Sequence, residues 1–184
     1  MLKLYGGSRS RASIVQWYLE EIGAEYEFVL INMEGGEHRQ PDFLALNPFG
    51  KVPVIVDGDL KLWESGAILL YIAEKYGKMP DSLEQRSIIY QWVLFGNSTL
   101  GTGLFIESNR EREMPKLLTP LNNLLSSQPF LLGEEFSVAD VAAGSILCYV
   151  PIMLKLDLSA YPAVVDYIKR LTDRPCFQKT IGKR

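Results

Sequence analysis

Residues 51 to 68 read KVPVIVDGDLKLWESGAI, and the order of signals in that stretch decides the fold. Pro53 stands at the head of an apolar run, the place where a residue that cannot donate to a sheet ladder is tolerated. Asp57-Gly58 comes next as a hairpin signal, because glycine accepts the positive φ that tight β turns demand. LKLW (60–63) is a second short strand, and Ser65 is expected as the N-cap of a helix running from about 66 to 76. Two antiparallel neighbours backed by a helix are therefore expected here.

Towards the N-terminus the texture alternates in the same way: LKLY (2–5), a helix near 11–22, YEFVLI (26–31) and a polar stretch from 32 to 47. The order is β-α-β-α-β-β-α, an open mixed sheet whose first two strands, joined through a helix, are parallel. Gly77 to Asp81 breaks the pattern, and Ser82-Leu83-Glu84-Gln85 offers a capping box for the next helix. Helical periods then dominate, near 83–107, 112–126, 138–150 and 162–173. The fold class is thus an α/β domain over residues 1–77 followed by an all-helical domain over 83–184. Gly96, Gly101 and Gly103 inside a helix imply either close approach or an open wall, since each costs about 1 kcal/mol. Ser137-Val138-Ala139-Asp140 reads as a structural cap, with Ser137 accepting a helix N–H and Asp140 reaching back.

The 184 residues carry a net charge of -3, with 47% hydrophobic and 22% charged residues, as a soluble globular protein does. There is no broad basic field for nucleic acid and no polybasic stretch for a membrane surface. Cys148 and Cys176 form no CxxC pair or disulfide framework, which favours a reducing compartment. MLKLYGG lacks the pattern of a secretory leader. The uncharged stretches 87–106 and 141–154 read as buried helices rather than membrane spans. His38 is the only histidine and has no metal-ligand cluster to join, so no metal is expected.

Three places carry candidate chemistry. Val52-Pro53 either begins an edge strand or, with a cis bond, opens the Val52 backbone to an extended peptide-like ligand. Glu64-Ser65 either caps a helix or forms a corner that receives an ammonium and a carboxylate. LYGGSRSRAS (4–13) sets Arg9 and Arg11 among serines where a strand turns into a helix, a place already electropositive. Either the two arginines point to water or something negative binds there.

LYGGSRSRAS, EEIGAEYEFV, NPFGKVPVI, LWESGAILLYIAEKY, FLLGEEFSVADVAAG and YPAVVDYIKRLTDRPCF occur in this order along the chain. On these motifs the sequence resembles the cytosolic glutathione S-transferase family over almost its whole length, and looks most like the small chi class described in bacteria. The resemblance implies a thioredoxin-like domain, a helical substrate-binding domain, a cytoplasmic homodimer and glutathione as co-substrate. It also implies conjugation of the glutathione thiol to small hydrophobic electrophiles such as aryl halides and isothiocyanates, with hydroperoxide reduction as a further activity. Carried over by position, Val52 and Pro53 bind the cysteinyl backbone, and Glu64 and Ser65 hold the γ-glutamyl ammonium and carboxylate. His38, Arg39 and Lys51 lie where the family places groups for the glycyl carboxylate.

The departure is at the catalytic turn, where the family usually has a Tyr, Ser or Cys and this chain has Gly7-Ser8-Arg9-Ser10-Arg11. Without a cysteine there, mixed-disulfide chemistry is disfavoured. Ser8 or Ser10 remains as hydroxyl donor, and Tyr5 stands too early and is expected in the core. Our preferred reading places Arg11 in or near the site beside the sulfur, with Ser10 as donor and Arg9 as a peripheral charge or a dimer contact. The alternative is a binding module that keeps the glutathione corner without turnover.

Overall fold

Leu2, Leu4 and Gly6 are buried along the first strand while Lys3 and Tyr5 are half-buried, and this alternation suits a strand inside a sheet. In the computed structural model, which describes residues 1–77 and 79–183, that strand is β1 (Leu2–Gly6). It lies second in a four-stranded sheet of order β2-β1-β3-β4. β2 (Tyr26–Leu30) runs parallel to β1, with Leu2 opposite Tyr26. β3 (Val54–Asp57) is antiparallel to β1, and β4 (Leu60–Trp63) is antiparallel to β3, with Val54 opposite Trp63. Helices α1 (Ala12–Ile22), α2 (Pro41–Leu44) and α3 (Ser65–Lys75) complete the expected βαβαββα order, a thioredoxin-like arrangement.

The main core of this unit includes Leu4, Val15, Trp17, Leu19, Ile55, Ile68, Leu69 and Ile72, all without exposed surface. A smaller cluster of Ile31, Phe43 and Val54 takes in Tyr5, Met33, Val52 and Trp63 at its edge. Tyr5 meets Phe43 edge-on at 6.4 Å, so it is a packing residue, as its early position in the strand implied.

One polar cluster ties α3 to the β3–β4 hairpin. Oδ2 of Asp57 accepts from Lys75 Nζ (2.6 Å), Tyr76 OH (2.7 Å) and Tyr71 OH (2.9 Å). Burial alone would raise the Asp57 carboxyl, but these donors and the Lys75 charge outweigh it and hold the group at about 2. A folded value below the unfolded ~3.9 means the contribution is complete above about pH 4 and is lost as pH falls towards 2. Asp57→Asn is expected to flatten this acid limb. Urea midpoints taken at about pH 3 and about pH 6 should differ less in the variant than in the parent protein.

The regular elements of the second unit, Pro80–Gln178, are all helices, joined by loops that include one bridge between Phe130 and Gly133. Ser82 Oγ accepts from the Gln85 N–H at 3.4 Å and caps α4 (Leu83–Leu94), as the capping box implied. The helix continues through a π-helical stretch, Phe95–Leu100, into α5 (Gly101–Phe105). Then come α6 (Glu107–Leu125), a π-helical turn (Asp140–Gly144), α7 (Ser145–Tyr149), a second turn of that kind (Val150–Leu154), α8 (Pro162–Thr172) and α9 (Pro175–Lys179). α6 starts earlier than expected and keeps Pro115 and Pro120 inside it. The carbonyls four residues before those prolines, which meet no N–H from them, belong to Glu111 and Lys116, both exposed residues. Gly96 decides between close approach and an open wall. A Cβ there would stand 2.7 Å from the Cα of Ala143, so two stretches of helix meet backbone to backbone.

Asp140 is fully buried and is a hub rather than a simple cap. Its Oδ2 accepts from the Ser137 N–H (2.9 Å) and hydroxyl (3.0 Å), and its Oδ1 from the Leu131 N–H (2.9 Å) and Tyr167 OH (2.8 Å). Burial is the largest influence on this carboxyl and pushes it up, against the pull of those donors. Ser137 Oγ accepts from the Ala139 N–H, one residue earlier than a full capping box would have it.

The expected boundary at the C-terminal end differs. From Lys179 onward the chain groups with the first unit, where Ile181 is fully buried. No helix among the described residues is long and apolar enough to cross a membrane.

Candidate functional site

A cleft of about 430 Å³ opens on the first unit, and each of its walls has a local cause. The loop before β3 is closed by Asn47, a polar residue only 2% exposed. Its Nδ2 donates to the Lys51 carbonyl (2.8 Å), its Oδ1 accepts from the Phe49 N–H (3.0 Å), and its own carbonyl accepts from the Gly50 N–H (3.0 Å). Gly50 takes φ +59, and a Cβ there would lie 2.9 Å from the His38 carbonyl oxygen, so the turn needs glycine. This clamp delivers Lys51 and a cis Val52-Pro53 peptide to the cleft, with Pro53 directly before β3.

Sequence reasoning passed over Asn47, because its burial and its partner at the Lys51 carbonyl appear only once the loop is folded. Asn47→Ala frees the Lys51 carbonyl and the Phe49 N–H together. It is expected to raise the KM for the ligand of the cleft about tenfold while kcat moves less, as steady-state kinetics would show.

The opposite wall is the corner between β4 and α3. Trp63 is still paired with Val54, so the chain must leave the sheet and enter the helix within one residue. That residue is Glu64, at φ 72 and ψ 116, a conformation costing a non-glycine residue about 1–3 kcal/mol. Glu64 therefore occupies the N-cap position and Ser65 is the first residue of α3, so the helix starts one place earlier than expected. Glu64 is exposed and Ser65 is buried, and both line the cleft. Trp63 and Phe49 line it as well, edge to face at 5.0 Å, an aromatic pair that sequence reasoning did not assign to the site.

The third wall comes from the turn after β1. Arg11 lines the cleft; Ser8, Arg9 and Ser10 are not among its lining residues. Ser10, expected as hydroxyl donor, is turned to its own chain. Its Oγ accepts from the Gly7 N–H (3.1 Å) and the Ala12 N–H (3.3 Å) and donates to the Gly7 carbonyl (3.0 Å). The reason is local: Arg11 sits at the N-cap of α1 with no capping side-chain bond, so the serine before it supplies the acceptor. Ser8 and Arg9 are exposed. His38 and Arg39 lie on a 3-10 turn, Glu37–Arg39, and do not line the cleft, and the buried Nδ1 of His38 has no hydrogen-bond partner. Among the described residues no group of three or more His, Cys, Asp or Glu side chains is placed to hold a metal.

Residues 1–74 match the glutathione S-transferase N-terminal domain and residues 107–175 the glutathione S-transferase C-terminal domain. The chain belongs to the glutathione S-transferase family. Among curated relatives of this chain, a probable glutathione S-transferase GSTF2 of Oryza sativa subsp. japonica is 34% identical, over 97% of this chain and 94% of the relative. The disulfide-bond oxidoreductase YfcG of Escherichia coli (strain K12) is 30% identical, over 100% of this chain and 95% of the relative. A solved glutathione S-transferase-I bound with lactoylglutathione superposes with a TM-score of 0.80 at 30% identity, over 97% of both chains. In this chain no cysteine is among the residues that line the cleft, and Cys148 is buried with its thiol pushed up by that burial.

Proposed function

We propose that the chain is a glutathione transferase that binds glutathione in this cleft and conjugates its thiolate to small hydrophobic electrophiles. The observation that carries the reading is the convergence of Arg11, Lys51, the cis Val52-Pro53 pair and the Glu64-Ser65 corner on one cleft. Membership of the family and the lactoylglutathione held by the solved relative support the same ligand. The γ-glutamyl ammonium meets Glu64 and its carboxylate the start of α3 at Ser65, while the cysteinyl backbone pairs with Val52. The glycyl carboxylate meets Lys51, and the sulfur rests towards Arg11.

A thiol of pKa ~8.5 is only a few per cent ionised at neutral pH, and the thiolate is the nucleophile. Lowering it by about two units takes roughly 2.7 kcal/mol. A cation about 4 Å away at an effective dielectric of ~20 contributes about 4 kcal/mol before desolvation. The Arg11 guanidinium and the N-terminus of α1 together are therefore proposed to activate the thiol with little help from a serine hydroxyl. The sulfur then attacks the electrophilic carbon, and the leaving halide departs with the bonding pair; with an isothiocyanate the displaced pair takes up a proton at nitrogen.

Calorimetric titration with glutathione, followed by turnover of an aryl halide, tests the reading. Heat of binding together with conjugation supports it, and binding without turnover of any electrophile returns the non-catalytic module. The homodimer and the cytoplasmic location are carried over with the family, and sedimentation at micromolar concentration tests the first. A second reading is favoured by the oxidoreductase named among the relatives. Here the activated glutathione thiolate attacks a disulfide, forming a mixed disulfide and expelling a thiolate, with glutathione itself in place of a protein cysteine.

A further inference from the structure

We propose that Met33 is a positioning residue for thiol activation, the support on which the Arg11 turn rests. This builds on the proposed function and adds a residue that touches neither the cleft nor, in that reading, the substrate.

Arg11 lies between Ser10 and Ala12, and both are tied to Gly7: Ser10 through its N–H to the Gly7 carbonyl (3.3 Å) and its hydroxyl to the same atom (3.0 Å), Ala12 through the Ser10 oxygen that also receives the Gly7 N–H. The place of Gly7 therefore sets the place of Arg11. Gly7 in turn rests on Met33. A Cβ on Gly7 would stand 2.7 Å from Met33 Cγ and 3.7 Å from its sulfur, so the thioether occupies the space that a side chain at position 7 would need.

Met33 itself is fixed from behind. The loop that carries it is closed by the Asn32 N–H to Glu37 Oε2 (2.7 Å), the Gly35 N–H to Asn32 Oδ1 (2.8 Å) and the Glu37 N–H to the Asn32 carbonyl (3.1 Å). Its side chain packs on the Ile31, Phe43 and Val54 cluster, whose edge also includes Val52 and Trp63 of the cleft. One small apolar cluster thus supports both the activating turn and the proline step, and Met33 is its link to the turn. A displacement of the turn by about 1 Å is enough to cost on the order of a hundredfold in rate.

The test uses Met33→Ala, which empties the support, and Met33→Leu, which keeps its volume. In ligand-free protein, amide exchange at Gly7 and Ser10 is expected to quicken about tenfold in Met33→Ala and to stay within about twofold of the parent in Met33→Leu. With glutathione, Met33→Ala should lower kcat about tenfold, leave the KM for glutathione within about twofold and move the pH profile of kcat upward, with Met33→Leu restoring all three. Unchanged exchange in Met33→Ala overturns the proposal. So does faster exchange with an unmoved pH profile, the pattern of a residue that merely packs. If the parent protein takes up no glutathione, the proposed function falls while the exchange comparison still decides whether Met33 holds the turn. Should Met33→Ala fail to fold, Met33→Val carries the same comparison.

Discussion

Asp140→Ala is expected to cost about 3–5 kcal/mol and to lower Tm by roughly 10–15 °C, well before any effect on chemistry. The carboxylate gathers donors from three separated parts of the helical unit: the Leu131 N–H, the Ser137 N–H and hydroxyl, and the Tyr167 hydroxyl on α8. Alanine leaves the two N–H groups and the tyrosine without an acceptor. Each buried donor so stranded costs about 1–3 kcal/mol, and only the serine hydroxyl can turn elsewhere. Asp140→Asn separates charge from hydrogen bonding. It keeps one oxygen for Leu131 and Tyr167, while its NH2 can donate to the Ser137 hydroxyl but leaves the Ser137 N–H without an acceptor, so it should cost about half as much. Thermal denaturation followed by circular dichroism reads both variants. Equal losses in the two would place the effect in the charge and not in the hydrogen-bonded hub.

Arg11→Ala is expected to raise the apparent pKa of bound glutathione by about 1–2 units and to lower kcat/KM at neutral pH about 10- to 100-fold. The sign is set by the form that the guanidinium favours. A cation stabilises the thiolate, so its removal moves the ionisation to higher pH, and the deficit should shrink as pH rises through the new value. Arg11→Lys should recover part of the shift, since a point charge remains although the planar fork is gone. Ser10→Ala is expected to behave differently, loosening the start of α1 through the loss of its acceptor rather than shifting the thiol. Thiolate absorbance against pH distinguishes the two. A profile that stays in place in Arg11→Ala would sink the assignment of Arg11.

The order of elements in the first unit was legible because each signal there is local. Pro53 before a strand, Gly58 in a hairpin turn and the apolar periods of α1 and α3 act within a few residues of themselves. Val52-Pro53 and Glu64-Ser65 line one cleft, a juxtaposition that the family resemblance implied and the local signals left open. What escaped depends on partners that spacing does not name. A serine before a helix can offer its hydroxyl to a ligand or to its own turn, and only the backbone around Gly7 shows that Ser10 does the second. Asn47 reads as an ordinary loop residue because the Lys51 carbonyl it holds is four residues away in a chain whose path was still unknown. His38 and Arg39 match the family's spacing but lie on a turn outside the cleft lining.

The backbone of Glu64 sets selection for robustness against selection for use. Glycine at that corner would relax its positive φ and should make the protein more heat-resistant, yet it would delete the anionic group expected to greet the incoming amine. A library screened only for survival on warming should therefore drift to glycine at position 64, whereas one screened for retention on a glutathione resin should keep the acid.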